Sequence, residues 1–217
     1  MSETTAGSPV GRPKIAVLDY GIGNLRSAQK ALERVGADAH LTADPGEVAE
    51  ADGVVLPGVG NFGRCVEALR AHGVDVMAKD AAGSGRPFIG ICVGMQLLFE
   101  GSEESPGQAG LGILPGLVRR LPATVKRPQM QWNSISVQQP SPLWAGLDDA
   151  WFYFVHSFAA DATALAGHIT ATRDYGGPVV AAVQHDNVFA TQFHPEKSGD
   201  AGRHLLANFV ELCAGGA

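Results

Sequence analysis

The segment Phe88-Ile89-Gly90-Ile91-Cys92-Val93-Gly94-Met95-Gln96 carries the strongest indication of the fold class in this sequence. Its first four residues form an apolar run typical of a buried strand, and the pattern from about Val93 to Glu100 predicts a helix that Gly101 ends. Glycines two residues before and after Cys92 remove side-chain bulk where strand and helix approach each other. The stretch therefore predicts an α/β fold with a cysteine on a sharp turn between a strand and a helix.

A thiol on such a turn is suited to nucleophilic chemistry. The N–H groups at the start of a helix favour thiolate over thiol, and the N–H of Val93 is one donor available to an oxyanion. The alternative is that Cys92 is a small buried hydrophobic residue at a strand end, as most free cysteines are. Cys65, among apolar helix positions, and Cys213, near the chain end, fit that structural role better.

The first half of the chain repeats strands, glycine turns and helices. Apolar runs at Lys14–Asp19, His40–Thr42 and Gly53–Leu56 predict strands, and Asn24 is positioned to cap the first helix. Two further helices are predicted, one on the spacing of Phe62, Val66 and Leu69 and one over Val74–Ala82. This alternation predicts a parallel sheet covered by helices on both faces.

The second half of the chain has strands with few helices between them. A tight hairpin turn is predicted at His185–Asn187, and a last helix begins near Asp200. The predicted strands are Val118–Leu121, Ser134–Gln138, Trp151–Val155, His168–Thr172, Val179–Gln184 and Val188–Phe193. We expect one α/β domain over residues 13–217, preceded by a flexible polar tail at residues 1–12.

Composition excludes several classes of function. A formal net charge of -6 without a concentrated basic face argues against nucleic acid as a partner. No apolar run approaches the roughly 20 residues that span a bilayer, so no membrane association is expected. Three cysteines are too few, and odd in number, for a disulfide framework, and no signal segment is evident, which together indicate a cytoplasmic protein.

A base and its orienting carboxylate stand together in Gln192-Phe193-His194-Pro195-Glu196. Pro195 stops the preceding strand and fixes the direction of the chain. An imidazole beside a thiol takes its proton, and a nearby carboxylate holds the ring in the required tautomer. Alternatives are a surface turn, or a metal site built from His185, His194 and Glu196, whose spacing is unlike that of known zinc sites.

Together, Gly90–Gln96 and Gln192–Glu196 resemble the paired motifs of class I glutamine amidotransferases. The resemblance runs from Lys14 to Cys213, nearly the whole chain. It implies a flavodoxin-like parallel or mixed sheet flanked by helices in a single domain, and no cofactor or metal. It also implies a catalytic triad of Cys92, His194 and Glu196, with L-glutamine as substrate.

Four further stretches resemble the glutaminase subunits of imidazole glycerol phosphate synthases: Asp19–Ser27, Pro57–Phe62, Tyr153–Phe158 and His194–Asp200. That resemblance implies a heterodimer with a barrel cyclase, which takes up the ammonia in histidine biosynthesis. Other readings remain open: an amidotransferase subunit of another pathway, a stand-alone γ-glutamyl cysteine hydrolase, or a non-catalytic scaffold module.

The resemblance also implies roles for residues around the triad. The N–H of Val59 joins that of Val93 in the oxyanion hole, and glycines at positions 58 and 60 allow the intervening peptide to rotate when a partner is ready. Gln129 and Gln131 stand where related subunits usually have His and Gly, which puts the conformation of that predicted loop, and its docking, in question. Expected substrate contacts are Gly58, Gln96, Ser157 and Phe158, and interface candidates are Asn24 and Trp132.

Overall fold

The computed structural model describes residues 11–215, so most of the predicted tail lies outside the described residues. Arg12, at the end of that tail, donates hydrogen bonds to the carbonyls of Glu33 and Gly36. The helices are α1 Leu25–Arg34, α2 Pro45–Glu50, α3 Phe62–Ala71, α4 Val74–Gly83, α5 Val93–Leu97 and α6 Gly199–Ala214. The strands of the first half are β1 Lys14–Leu18, β2 Asp38–Thr42, β3 Gly53–Gly58, β4 Phe88–Cys92 and β5 Gly101–Ser102.

The second half contributes eight strands. They are β6 Leu117–Arg120, β7 Gln129–Ser134, β8 Ser136–Val137, β9 Trp151–His156, β10 Phe158–Ala160, β11 Ile169–Asp174, β12 Pro178–His185 and β13 Val188–Thr191. Short 3-10 helices lie at Pro142–Trp144, Ala162–Ala164 and Pro195–Lys197.

One eight-stranded mixed sheet organises the domain, in the order β2-β1-β3-β4-β13-β12-β11-β8. The five strands from β2 to β13 run parallel, and the remaining three pair antiparallel. Every residue of β3, β4 and β13 is buried, as expected when both faces of a parallel sheet are covered. The helices form two groups. In one group α1 contacts α6, and in the other α2 and α3 each contact α4. The expected single α/β domain with a parallel or mixed sheet is confirmed.

Two smaller sheets stand beside the main one. Strands β10, β6 and β5 form the first, and β7 pairs with β9 as an antiparallel ribbon. The predicted strand at Ser134–Gln138 is only partly right, because most of the pairing falls earlier, on Gln129–Ser134. Gln129 and Gln131 therefore lie in a regular strand rather than a loop.

The helix after Cys92 is shorter than predicted. It ends at Leu97 instead of Glu100, because the chain beyond it bonds to another segment. The N–H of Glu100 donates to the carbonyl of Gly116, and the carbonyl of Leu97 accepts from Leu111. These longer-range hydrogen bonds replace the next helical turn.

The carboxyl ends of β3, β4 and β13 meet at one edge of the sheet. Gly58 is the register partner of Cys92 across β3 and β4, and Thr191 is the partner of Ile91 across β13 and β4. His194 follows β13 by three residues, so the two predicted motifs, about 100 residues apart in sequence, converge at this edge. No helix within residues 11–215 has the length and apolar character to cross a membrane.

Candidate active site

Cys92 occupies a strained turn at the end of β4. Its φ is 56° and its ψ is -111°, a backbone conformation that residues other than glycine rarely adopt. The close approach of strand and helix depends on glycine, because a Cβ on Gly94 would overlap the carbonyl of Leu56. A Cβ on Gly58 would lie 2.7 Å from the nitrogen of Gly94. The turn is thus held in its unusual conformation by tight packing between β3 and α5.

His194 and Glu196 form a buried pair. His194 Nδ1 lies 2.8 Å from Glu196 Oε1, and the two side chains are 2% and 3% exposed. A hydrogen bond from Nδ1 to the carboxylate leaves Nε2 as the ring nitrogen free to exchange a proton. Nε2 has no hydrogen-bond partner among the described residues, so it is available to the thiol of Cys92.

The pKa of His194 is set by opposing effects. Burial lowers it, but interactions with the sulfur of Cys92 and the carboxylate of Glu196 outweigh burial and raise the pKa to about 9. The surroundings of the ring, the sulfur of Cys92 on one side and the carboxyl group of Glu196 on the other, therefore favour the charged form of the imidazole. This is the electrostatic arrangement that a thiolate–imidazolium pair requires.

Cys92 and His194 open into one cavity of about 400 Å³. That volume suits a small metabolite, since ligand pockets begin at about 300 Å³. A groove of about 520 Å³ beside α6 is larger, but its lining includes Asn208 and Glu211 and no cysteine or histidine. The predicted residues that line the Cys92 cavity are Asn24, Val59, Val93, Gln96, Ser157 and Phe158.

Three predicted site residues lie outside this cavity lining: Glu196, which contacts Nδ1 of His194, Gly58 and Trp132. Gly58 lies beneath the turn, packed against Gly94 and the hydroxyl of Tyr20, while Val59 and Gly60 form the wall beside it. Trp132 lies on the β7–β9 ribbon and is 48% exposed, with its ring 6.2 Å from that of Tyr153.

Gln96 is buried rather than exposed on its helix. Its Nε2 donates to the carbonyl of Phe158 and to Oε1 of Gln192, each at 3.0 Å. Gln96 Oε1 is thereby left as the end of the carboxamide available to a ligand. The carbonyl of Ser157 is also in use, because it accepts from the N–H of Leu121.

Four polar residues near the cavity were not singled out from the sequence. Glu104, His156 and Lys197 line it, and Gln192 Nε2 lies 3.8 Å from Cys92 Sγ. Glu104 sits in a short acidic run that reads as solvated surface, so no local pattern distinguishes it. Gln192 belongs to the same sequence motif as His194, and only that position next to the motif's histidine indicated that Gln192 lies near the site.

The structure excludes the metal site proposed as an alternative. His185 ends β12 at the opposite edge of the sheet from His194, and its Nδ1 lies 3.3 Å from that of His168 instead. Within residues 11–215, no group of three or more His, Cys, Asp or Glu residues is arranged to hold a metal ion.

An exposed apolar surface borders the cavity, and we call it the ribbon face: Met130, Trp132, Trp151, Tyr153 and Val155. These residues pair or alternate on one side of β7 and β9. Met130 and Trp151 are 63% and 55% exposed, which is unusual for side chains of this size. Val155 also lines the cavity, so the ribbon face and the cavity are continuous.

Comparison with solved structures identifies the fold. A crystal structure of a glutamine amidotransferase matches with a TM-score of 0.73 and 22% identity, over 92% of this chain and 98% of that one. The structure of PurLQS from Thermotoga maritima matches with a TM-score of 0.73 and 19% identity, again over 92% and 98% of the two chains.

Sequence comparison identifies the family. The model of the class-I glutamine amidotransferases matches residues 16–213. The imidazole glycerol phosphate synthase subunit HisH of Corynebacterium diphtheriae is 49% identical, over 92% of this chain and 99% of that protein. The subunit of the same name from Synechococcus elongatus is 51% identical, over 93% and 94%. The chain therefore belongs to the class-I glutamine amidotransferase family, in the branch of the HisH subunits of imidazole glycerol phosphate synthase.

Proposed function

We propose that this chain is a glutaminase subunit that hydrolyses L-glutamine to glutamate and ammonia with a triad of Cys92, His194 and Glu196. One observation carries the proposal. A cysteine held at a φ of 56° shares a cavity with a histidine whose other ring nitrogen is bonded to a buried carboxylate. This combination supplies a nucleophile, a base and an orienting group in one place.

The reaction begins with proton transfer from Cys92 Sγ to His194 Nε2. The thiolate attacks the side-chain carboxamide carbon of glutamine, and the carbonyl π electrons move to oxygen to form a tetrahedral oxyanion. As the oxyanion collapses, the C–N bond breaks and His194 gives its proton to the leaving nitrogen, which departs as ammonia. His194 then removes a proton from water, and the resulting hydroxide attacks the thioester carbon. The C–S bond breaks, glutamate is released, and His194 returns the proton to the sulfur of Cys92.

Backbone N–H groups of Val93 and Val59 would stabilise the oxyanion. Both residues line the cavity beside Cys92. The Gly58–Gly60 segment is where the hole would be switched: Gly60 has a φ of 96°, and the carbonyl of Val59 accepts a weak hydrogen bond from Cys65 Sγ at 3.5 Å. Gly60→Ala would hinder rotation there, and full activation by the partner in that variant would contradict the switch.

Substrate recognition follows from the polar groups that remain free. Gln96 Oε1 would accept from the glutamine carboxamide, and the carboxylate of Glu104 would pair with the α-ammonium. Glu104 is held by the N–H of Phe62, which donates to its Oε2 at 2.8 Å. Because the carbonyls of Ser157 and Phe158 are already bonded, contacts from these residues would come from their N–H groups or from the Ser157 hydroxyl.

The proposed partner is a barrel cyclase that uses the ammonia to close an imidazole ring, giving imidazole glycerol phosphate and aminoimidazole carboxamide ribotide. The ribbon face supports this heterodimer, because exposed apolar side chains next to a cavity are typical of an interaction surface. Asn24, at the cavity, and Trp132, on the ribbon face, are the interface candidates. The biosynthetic pathway supports a cytoplasmic location.

The decisive experiment measures glutamate release from glutamine with and without candidate cyclase subunits. We expect activity to rise by orders of magnitude with the matching cyclase and to vanish in Cys92→Ser. Strong activity without any partner would favour a stand-alone γ-glutamyl hydrolase, and activation by the synthase of another pathway would place the subunit there. A partner function that survives Cys92→Ser unchanged would favour a scaffold.

A further inference from the structure

A continuous line of hydrogen bonds runs through the protein interior and ends at the sulfur of Cys92. Its last member, Gln192, is fully buried, and its backbone N–H donates to the carbonyl of Ala181 at 2.8 Å. The proposed triad mechanism assigns no role to Gln192. A buried carboxamide beside a reacting atom needs an explanation, because burying such a group is favourable only when its hydrogen bonds are made.

The orientation of the Gln192 carboxamide is fixed by its neighbours. The carbonyl of Phe158 can only accept, so the Gln96 atom 3.0 Å from it must be the amide nitrogen. The same nitrogen lies 3.0 Å from the Gln192 side chain, and its second hydrogen requires an acceptor there. Gln192 therefore turns its oxygen to Gln96 and its NH₂ group to Cys92 Sγ, 3.8 Å away.

The orientation of the ring at the other end of the line is also fixed by its partners. His156 Nδ1 lies 2.8 Å from the carbonyl of Phe158, which requires a hydrogen on Nδ1. Nε2 then accepts from Arg173 Nη2 at 3.1 Å. Burial and the charge of Arg173 lower the pKa of His156 to about 3, so the ring is neutral and this tautomer is retained at physiological pH.

We propose that Gln192 is a further catalytic residue, whose amide N–H donates to the Cys92 thiolate and stabilises it before attack. Gln96 acts as a positioning residue, because its bonds to the carbonyl of Phe158 and to Gln192 Oε1 fix which end of the Gln192 carboxamide faces the sulfur. In this step the proton passes from Cys92 Sγ to His194 Nε2, and the negative charge left on sulfur receives the Gln192 N–H. The inference deepens the proposed glutaminase function and rests on it.

A neutral amide suits this position for a physical reason. A lysine or arginine there would hold the thiolate so strongly that its nucleophilicity would fall, whereas a carboxylate would oppose its formation. An N–H donor stabilises the anion moderately and carries no net charge toward His194. Hydrogen bonds to charged groups are stronger than those between neutral groups, so losing this one should lower kcat/KM by about 10- to 100-fold.

The test compares Gln192→Met with Gln192→Glu. Methionine is similar in length but removes the N–H donor, whereas glutamate keeps an oxygen for Gln96 and presents a second oxygen to the sulfur. Alkylation of Cys92 by iodoacetamide is followed as a function of pH on the full-length chain, with the modified peptide identified by mass spectrometry. Glutamate release is measured in parallel in the complex with the cyclase.

We expect the alkylation profile to move to higher pH in Gln192→Met and further in Gln192→Glu. The matched control is Gln138→Met, which replaces an exposed glutamine just after β8, outside the cavity lining, and should leave the profile unchanged. Gln96→Met is an independent test, because it leaves Gln192 in place but no longer fixes its orientation. We expect its alkylation profile to move to higher pH by a smaller amount. This measurement stays informative if a Gln192 variant does not fold.

A purely structural role for Gln192 would lower thermal stability and activity without moving the pH profile. Profiles of Gln192→Met and Gln96→Met that superimpose on that of the wild type would overturn the inference. That failure is distinct from failure of the proposed function, which would show itself as wild-type complex lacking Cys92-dependent glutamate release.

Discussion

The hydroxyl of Ser198 links the turn that carries His194 to strand β9. It donates to the carbonyl of His194 at 2.6 Å and accepts from the N–H of Tyr153 at 3.0 Å. The N–H of His194 in turn donates to the carbonyl of Tyr153 at 3.0 Å. The backbone of the proposed base is therefore held against the strand that also carries the ribbon face.

Replacing Ser198 by alanine should loosen this link. The variant removes the acceptor of the part-buried Tyr153 N–H and leaves the carbonyl of His194 with only the N–H of Lys197. We therefore expect the free energy of unfolding to fall by about 1–3 kcal/mol and glutaminase activity to fall with it. Urea denaturation and kinetic assays of the complex measure the two effects. Ser136→Ala, at an exposed strand position, is the control, and equal stability of the two variants would contradict the expectation.

Alanine at Gly94 should disrupt the turn that carries Cys92. Its Cβ would overlap the carbonyl of Leu56, a fully buried residue of β3. We expect the free energy of unfolding to fall by about 3 kcal/mol or more, at the upper end of overpacking effects, together with loss of activity. Gly83→Ala, at the end of α4 with open space around it, should be neutral or mildly stabilising by comparison. Similar thermal midpoints for the two variants would show that the turn tolerates bulk.

The raised pKa of His194 should make the stability of the protein decrease as the pH rises in the alkaline range. Interactions with Cys92 and Glu196 raise the folded pKa of His194 to about 9, above its ordinary value of 6.5. The stabilisation of the charged ring therefore contributes fully below pH 6.5 and is lost as pH rises through 9. Glu196→Gln removes one of the interactions that raise the pKa. We therefore expect a smaller difference in unfolding free energy between pH 7 and pH 10 in this variant than in the wild type. NMR titration of the His194 ring tests the pKa directly, and an unchanged midpoint in Glu196→Gln would refute this origin.

Gln129 should be replaceable at no loss of stability. Its side chain is fully buried, and neither Oε1 nor Nε2 has a hydrogen-bond partner within residues 11–215. Methionine of similar length avoids the cost of burying those polar atoms, so we expect Gln129→Met to raise the free energy of unfolding by about 1 kcal/mol. Gln131→Met, exposed on the same strand, should change it by less than about 0.5 kcal/mol. Destabilisation by Gln129→Met would mean that the carboxamide makes bonds of its own.

The ribbon face should control affinity for the partner. Trp132→Ala removes an aromatic side chain that is 48% exposed, and such side chains often dominate binding energy, so we expect the dissociation constant for the cyclase to rise by at least about tenfold. Val76→Ala, an exposed apolar position on α4, should leave it unchanged. Isothermal titration calorimetry measures both, and equal affinities would move the docking surface elsewhere.

Local signals in the sequence explain why the first half of the fold was predictable. Gly53–Leu56 and Phe88–Ile91 are apolar runs next to a proline. As predicted, the first lies in β3 and the second in β4. The spacing of Phe62, Val66 and Leu69 likewise matches α3, which buries all three. Where a residue's conformation depends on its near neighbours, the pattern carries the structure.

The failures share one cause, which is pairing with distant segments. Strand β7 is polar along most of its length and forms because it pairs with β9, more than 15 residues later. The helix after Cys92 stops early because Glu100 bonds to Gly116. Glu104 and His156 reach the cavity from separate loops and strands, and no spacing in the sequence connects them to Cys92.

The backbone of Cys92 has a practical consequence for anyone who engineers this chain. A cysteine at a φ of 56° costs about 1–3 kcal/mol that a glycine would not. A selection for heat resistance alone would thus favour replacement of Cys92, the proposed nucleophile. Thermostable variants of this protein need to be chosen under simultaneous demand for glutamine turnover, because robustness and chemistry compete at this single residue.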